Sequence, residues 1–386
     1  MTTQKTPNGK SKQFCDLFNP FRRPKKVSPK PSLDSTSPLL AKKTMEYKNL
    51  GSTGLKVSVL GFGTGILNGD KAEQENFKQI VKKAYDAGIN FFDTAEMYGY
   101  GKSEIALGKA IKELQLPREQ LVISTKIFWG PGDGPNVVGL SHKHIIEGTR
   151  NSLKRLQLEY VDIIFCHKPD FETPVEETCK AFDYLINQGK TFYWGTSDWP
   201  VERIMEAHRV CEELGLHKPV VEQPEYNMLT RTKVDGEYLP LFQDHGMGTT
   251  VWSPLASGVL SGKYNKGIPK GTRFDSSDPT MKMLYENYLG ENVREKTMKV
   301  LKELEGFAKE LGCTQAQLAY AWVLKNHNVS VCLLGATKVT QIEENLKALE
   351  VAKKLTPEIL ERIGKVLDNT PQGHFNFKLW KPFKKS

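Results

Sequence analysis

Four residues of this chain have the types and spacing to move a proton. Asp93, Lys126 and His167 each close a short apolar run, over 90–92, 121–125 and 163–166. Tyr98 stands five residues beyond Asp93 in the stretch Asp93-Thr94-Ala95-Glu96-Met97-Tyr98-Gly99. A phenol titrates near ~10, and a neighbouring ammonium favours its ionised form. A carboxylate can hold that ammonium, and a neutral imidazole can hydrogen-bond an oxygen on which charge develops. Singly, a strand-end lysine is usually solvated and a lone histidine is usually a core residue. Three ionisable residues closing three successive runs call for a shared explanation.

The rhythm of the chain supplies one. From Tyr47 onward, runs rich in Val, Ile and Phe recur at 57–62, 89–92, 121–124, 161–166, 191–194, 220–222, 249–252 and 329–334. Stretches of helical period lie between them. Phe77, Ile80, Val81, Ala84 and Tyr85 share one face, closed by Gly88. Ile145, Ile146, Thr149, Leu153 and Leu156 form a second face, and Val175, Cys179, Phe182, Leu185 and Ile186 a third before Gly189. Eight buried-type strands alternating with helices predict an α/β fold, a (β/α)8 TIM barrel, with functional residues at the C-terminal ends of its strands. Those ends read Gly63-Thr64, Asp93, Lys126, His167, Ser197, Gln223, Ser253 and Gly335-Ala336-Thr337. A doubly wound sheet would also alternate strands and helices. Its dinucleotide fingerprint is missing, because after Gly61 and Gly63 the third glycine of GxGxxG would fall at Ile66.

Composition narrows the function classes. The 386 residues are 39% hydrophobic with 18 Phe, enough for a sizeable core, and no apolar run approaches a membrane span. The six cysteines show no CxxC and no regular spacing, which points to reduced thiols in a cytoplasmic setting. No apolar segment near Met1 suggests a secretory signal. The net charge of +9 is a property of the ends. Residues 1–45 hold ten Lys or Arg and two Asp, and residues 376–386 hold four Lys and no acid, leaving −3 between them. The body therefore needs no nucleic-acid partner to explain its charge. Five prolines between Pro20 and Pro38 bar a long helix, so 1–45 read as a disordered basic tail, 46–370 as the barrel and 371–386 as a basic C-terminal tail. The same prolines argue against a mitochondrial presequence. Phe14, Phe18 and Phe21 stand just ahead of Arg22-Arg23 and Lys25-Lys26.

With Asp93, Tyr98, Lys126 and His167 in that order and spacing, the sequence resembles the aldo-keto reductase superfamily over roughly residues 46–370. Within it the sequence is most similar to the β-subunits of voltage-gated potassium channels. Residues 124–130, 156–162, 193–197, 252–256 and 333–336 carry that similarity, reading STKIFWG, LQLEYVD, YWGTS, WSPLA and LLGA. Channel-type subunits carry Asn where His167 stands, whereas reductases carry His. This sequence thus joins a channel-type framework to a reductase-type tetrad.

The resemblance implies NADPH-dependent reduction of aldehydes or ketones to alcohols. Tyr98 would donate the proton, Lys126 would lower its pKa, Asp93 would hold Lys126, and His167 would bind the carbonyl oxygen. It places the nicotinamide near Ser197 and Gln223, with Thr64, Asp93, Tyr98 and Lys126 also facing NADP(H). The pyrophosphate falls to Trp252, Ser253, Pro254, Leu255, Ala256, Ser257, Gly258, Lys263 and Arg273. The 2′-phosphate and adenine fall to Gly335, Thr337, Gln341, Glu344 and Asn345. Thr337 is expected to open a helix containing Ile342, Leu346 and Leu349, whose N-terminus suits the 2′-phosphate, with Arg273 adding a charge-assisted hydrogen bond to it. The family often carries Arg at position 198, where this sequence has Asp198. The implied partners are a small carbonyl substrate, a potassium channel α subunit and further copies of the chain in a homotetramer. A free-standing cytosolic reductase without a channel partner is the alternative. No metal site is expected.

Overall fold

The computed structural model describes residues 45–65 and 71–371. The expected basic tails lie outside these residues, apart from Met45 and Pro371. An antiparallel hairpin comes first, β1 (Tyr47–Asn49) with β2 (Lys56–Ser58), in the register Tyr47↔Ser58 and Asn49↔Lys56. Eight parallel strands then close a barrel. They are β3 (Leu60–Gly63), β4 (Phe91–Asp93), β5 (Val122–Ile127), β6 (Val161–Cys166), β7 (Thr191–Thr196), β8 (Val221–Glu222), β9 (Gly248–Val251) and β10 (Val331–Leu334). Each pairs with its neighbour in sequence, and β10 closes on β3. The expected (β/α)8 TIM barrel is the observed fold.

Helices α1 (Lys71–Asp86), α2 (Lys102–Glu113), α3 (His142–Leu156), α4 (Val175–Asn187), α5 (Val201–Leu214) and α6 (Leu239–Asp244) follow β3 to β8 in turn. The connection from β9 to β10 carries α7 (Pro279–Leu289), α8 (Glu291–Leu311) and α9 (Gln315–Leu324). After β10 come α10 (Val339–Leu346), α11 (Ala348–Lys354) and α12 (Pro357–Leu367). The apolar faces read from the sequence turn inward: Phe77, Ile80, Val81 and Ala84 of α1 are buried, as are Ile145, Leu153 and Leu156 of α3. No helix among the described residues is long and apolar enough to cross a membrane.

The run 57–62 is two elements rather than one strand. Val57 belongs to the hairpin and the barrel strand begins at Leu60. Ser58 makes the break: its hydroxyl donates to Leu60 O (2.7 Å), and its amide donates to Asn90 Oδ1 (2.7 Å). The helix expected from Thr337 through Leu349 is likewise two, since α10 ends at Leu346 and Leu349 lies in α11.

Alternation along each strand positions the site. Side chains point to opposite faces in turn, so every second residue enters the barrel. Phe91, Val122, Val221 and Val331 open their strands and lie in one apolar cluster with Ile163, Phe165 and Leu333. The hairpin adds fully buried Leu50 and Val57 to that cluster, which makes it a plug across the N-terminal end of the barrel. Two or four residues further along the same inward series stand Asp93, Lys126, His167 and Gln223. The interior thus runs from a dry floor to a polar mouth. Gly61 contributes backbone alone, because a Cβ there would lie 2.7 Å from Val331 Cγ1.

If the hairpin plugs the barrel, Leu50→Ala should open a cavity in its floor and cost about 2–5 kcal/mol. Urea unfolding would measure this, and a loss under ~1 kcal/mol would show that the hairpin is not a packed part of the core.

Candidate active site

The strand ends bring the four sequence-predicted residues to one mouth. Asp93 and Lys126 are 2% and 1% exposed, and the β4–β5 register sets Asp93 opposite Ser124. Lys126 lies two residues further up the same inward face, and its Nζ donates to Asp93 Oδ2 and to Thr94 O (2.8 Å). Asp93 Oδ1 accepts from Ser124 Oγ (2.8 Å) and Gln223 Nε2 (3.1 Å). Lys126 Nζ is 4.8 Å from the centroid of the Tyr98 ring. The Tyr98 and His167 rings meet edge to face at 5.7 Å, and the Trp129 ring also meets His167 edge to face at 5.1 Å.

Burial and charge set the protonation states. Burial raises the Tyr98 pKa; Lys126 pulls it down, and Asp93 pushes it up again. The lowering expected from Lys126 is present but smaller than the cost of desolvating a phenolate, so the phenol stays protonated. For Lys126, burial alone works downward, but Asp93 and Tyr98 together raise its pKa and keep it cationic. Burial holds His167 well below the ordinary histidine range, assisted by the charges of Lys126 and Lys168. Its Nδ1 is buried without a partner among the described residues, as is Thr64 Oγ1 at the end of β3.

The remaining expected residues fall into three groups. Ser197 and Gln223 adjoin the tetrad: Ser197 Oγ donates to Gln223 O (2.8 Å), and Gln223 Nε2 also reaches Thr250 Oγ1 (3.1 Å). The second group is the turn after β9, where Ser253, Ala256, Ser257 and Gly258 all have φ between 48° and 99°. Backbone held in this region is costly for non-glycine residues and concentrates at functional sites. Lys263 Nζ lies against this turn, since a Cβ on Gly258 would meet it at 2.8 Å. Burial lowers the Arg273 pKa, and no described carboxylate acts on that guanidinium. The third group surrounds the start of α10. Here the amides of Thr337 and Lys338 donate to Gln341 Oε1 (2.7 and 3.2 Å), so Gln341 already caps the turn expected to meet a phosphate. Asn345 is buried beside them and Glu344 is exposed. No hydrogen bond among the described residues joins this third group to the tetrad.

Residues 59–368 match the family model described as "Aldo/keto reductase family". The chain belongs to the aldo/keto reductase family. Among curated relatives, an Arabidopsis thaliana protein named "Probable voltage-gated potassium channel subunit beta" is 50% identical over 329 residues, covering 85% of this chain and 98% of the relative. A protein of the same name from Oryza sativa subsp. japonica is 48% identical over the same shares of each chain.

Sequence reasoning missed what surrounds Asp198 in this aldo/keto reductase. Asp198 Oδ2 accepts from Lys168 Nζ (2.5 Å) and from the Trp252 indole N–H (3.1 Å), and Lys233 Nζ donates to Asp198 O (2.8 Å). The signal was available in part. An Asp where the family often carries Arg calls for a nearby cation, and Lys168 directly follows His167. Trp129 was also overlooked as a wall of the site, although it stands in one of the stretches that carry the family likeness.

The depressed His167 pKa has a stability consequence. In an unfolded chain histidine titrates near ~6.5. Above that pH neither state carries the proton. Below it the unfolded chain takes up a proton that the native site refuses, so stability falls as pH drops from about 6.5 toward the lower native value. His167→Asn should remove this contribution. Melting temperatures followed from roughly pH 7.5 to 5 should decline less steeply in the variant. Equal slopes would show that the native imidazole ionises freely.

Proposed function

We propose that the chain is an NADPH-dependent reductase that converts aldehydes and ketones to alcohols. The observation carrying this reading is the convergence of Tyr98, the buried Lys126–Asp93 pair and a neutral His167 at the barrel mouth. The residues suit a dinucleotide: Thr64 Oγ1 is a buried polar atom with no partner among the described residues, and Arg273 is a partly buried cation without a described carboxylate. Bound NADPH supplies hydride. Tyr98 holds its proton at neutral pH because burial disfavours the phenolate, and its Oη donates that proton to the carbonyl oxygen as negative charge develops there. Lys126 stabilises the phenolate that remains, and Asp93 holds the ammonium in place. His167 donates a ring N–H to the same oxygen. Trp129 and the Tyr98 ring both pack against the imidazole and favour flat, aromatic aldehydes. Ser197 and Gln223 would hold the nicotinamide end, residues 252–258 with Lys263 the pyrophosphate, and Arg273 with Thr337, Gln341, Glu344 and Asn345 the 2′-phosphate end.

Two substitutions separate chemistry from nucleotide binding. Tyr98→Phe should lower turnover of an aromatic aldehyde by at least about a hundredfold and leave NADPH binding intact. Arg273→Ala should weaken NADPH more than NADH in a fluorescence titration, since only NADPH loses a charge partner. Full activity in the first variant would refute the proton donor, and equal losses in the second would refute the Arg273 assignment.

A second reading rests on the names and near-complete coverage of the plant relatives. In it the chain is a cytoplasmic homotetramer that binds and regulates a voltage-gated potassium channel, the barrel at 46–370 flanked by basic tails at 1–45 and 371–386. Coexpressed with a channel, the full chain should co-purify with it and speed its inactivation. A chain beginning at Met45 should bind but lose the second effect. Absence of co-purification would leave a free-standing reductase, and identical currents would remove any gating role for the tail.

A further inference from the structure

We propose that Glu96 is the positioning residue for Tyr98, its buried carboxylate pinning to β5 and α3 the loop that carries the phenol. The significance of Tyr98 here rests on the reductase reading. Strand β4 ends at Asp93, yet its bonding to β5 continues into the loop: Thr94 N donates to Ser124 O (2.9 Å) and Glu96 N to Lys126 O (3.2 Å). One rung further the backbone is no longer available, because the chain has turned and Tyr98 N bonds back to Ala95 O (3.1 Å). The Glu96 side chain fills that rung. Its Oε1 accepts from Phe128 N (2.8 Å), just past the end of β5, and contacts His144 Nε2 of α3 at 3.0 Å. Glu96 and His144 are 1% and 4% exposed.

Helix α3 leaves room for this carboxylate. Gly148 lies inside the helix, where glycine costs ~1 kcal/mol relative to alanine. A Cβ at Gly148 would stand 3.0 Å from Glu96 Oε2 and 3.3 Å from Ile127 side-chain atoms. Glycine here keeps the second carboxylate oxygen from being crowded. Glu96 makes no contact with Asp93, Lys126 or His167 side chains through any described hydrogen bond, so its influence on the chemistry runs through the loop. Two residues later the Tyr98 ring rests against Gly65, whose Cβ position is 3.3 Å from Tyr98 Cε2. Loss of the Glu96 carboxylate leaves the Phe128 amide and the His144 ring without their acceptor and frees the phenol to shift.

Three variants test the assignment: Glu96→Ala, Glu96→Gln and Gly148→Ala. The readouts are aldehyde kcat and KM, NADPH affinity by fluorescence, melting temperature, and the NMR signal of 13Cζ-labelled Tyr98, assigned by comparison with Tyr98→Phe. Glu96→Ala should lower kcat by about tenfold to a hundredfold and move the Tyr98 signal. NADPH affinity should stay within about twofold. Glu96→Gln, which keeps an acceptor for Phe128 N, should restore most of both. Gly148→Ala should give a partial effect on the Tyr98 signal, and adding it to Glu96→Ala should move that signal little more, because its methyl then meets Ile127 but no carboxylate. An unmoved Tyr98 signal in Glu96→Ala, or independent addition of the two effects, would overturn the proposal. If Glu96→Ala fails to fold, Gly148→Ala and Glu96→Gln decide it, an unshifted Tyr98 signal in Gly148→Ala counting against. The NMR measurement needs no turnover, so failure of the reductase reading is distinguishable from failure of this one.

Discussion

The buried ion pair between Lys126 and Asp93 is the constraint on which the mouth of the barrel depends. Removing two charges from water costs several kcal/mol per ion, and only close pairing with further hydrogen bonds offsets that cost. The structure supplies them: Ser124 and Gln223 donate to Asp93, and Thr94 O accepts from Lys126. Each donor comes from a different place in the chain, so the pair is satisfied only when β4, β5 and β8 are in register around the closed barrel. The ammonium then acts in two directions at once. It pulls the Tyr98 phenol downward against burial, and it helps hold His167 neutral. In the proposed reaction one cation therefore serves both the proton donor and the oxygen that receives the proton.

That pair is tolerable because the barrel interior is graded along its axis. The floor is apolar and sealed by Leu50 and Val57 of the hairpin, so no water is needed beneath the charges. Asp93, Lys126 and His167 stand at the last inward position of their strands or the residue just beyond. The second ion-pair centre, Asp198 with Lys168 and Lys233, lies on the loops above β6, β7 and β8 and holds the Trp252 indole. Stability and chemistry are thus separated by height within one barrel, as the parallel strand direction allows.

The legible part of the site was the part governed by strand period. Asp93, Lys126 and His167 follow apolar runs whose lengths carry them to the same end of their strands, so their convergence could be read before any coordinate. The barrel itself followed from eight runs alternating with helical faces. Local turn chemistry was harder to read: Ser58 breaks an apolar run that looks continuous, because its hydroxyl and amide find partners at Leu60 and Asn90. The helix after β10 breaks between Leu346 and Ala348 although its apolar period continues, and Gln341 satisfies amides that the sequence left free for a ligand.

What the sequence by itself determined was the order of elements, the inward face of each strand and the identity of the residues delivered to the mouth, because side-chain alternation and helical period are local properties of the chain. What only the tertiary structure decided were the balances between distant groups. The sign of the Tyr98 shift depends on how deeply the closed barrel buries the phenol relative to the distance of Lys126. The partnership of Asp198 with Lys168 and Lys233 spans 30 and 35 residues and exists because barrel closure brings three loops together. The seat of Glu96 against Phe128 and His144, with Gly148 leaving the space, requires α3 to dock on β5 at one height. These are desolvation and packing terms summed over neighbours from several strands, and no local pattern in a sequence carries that sum.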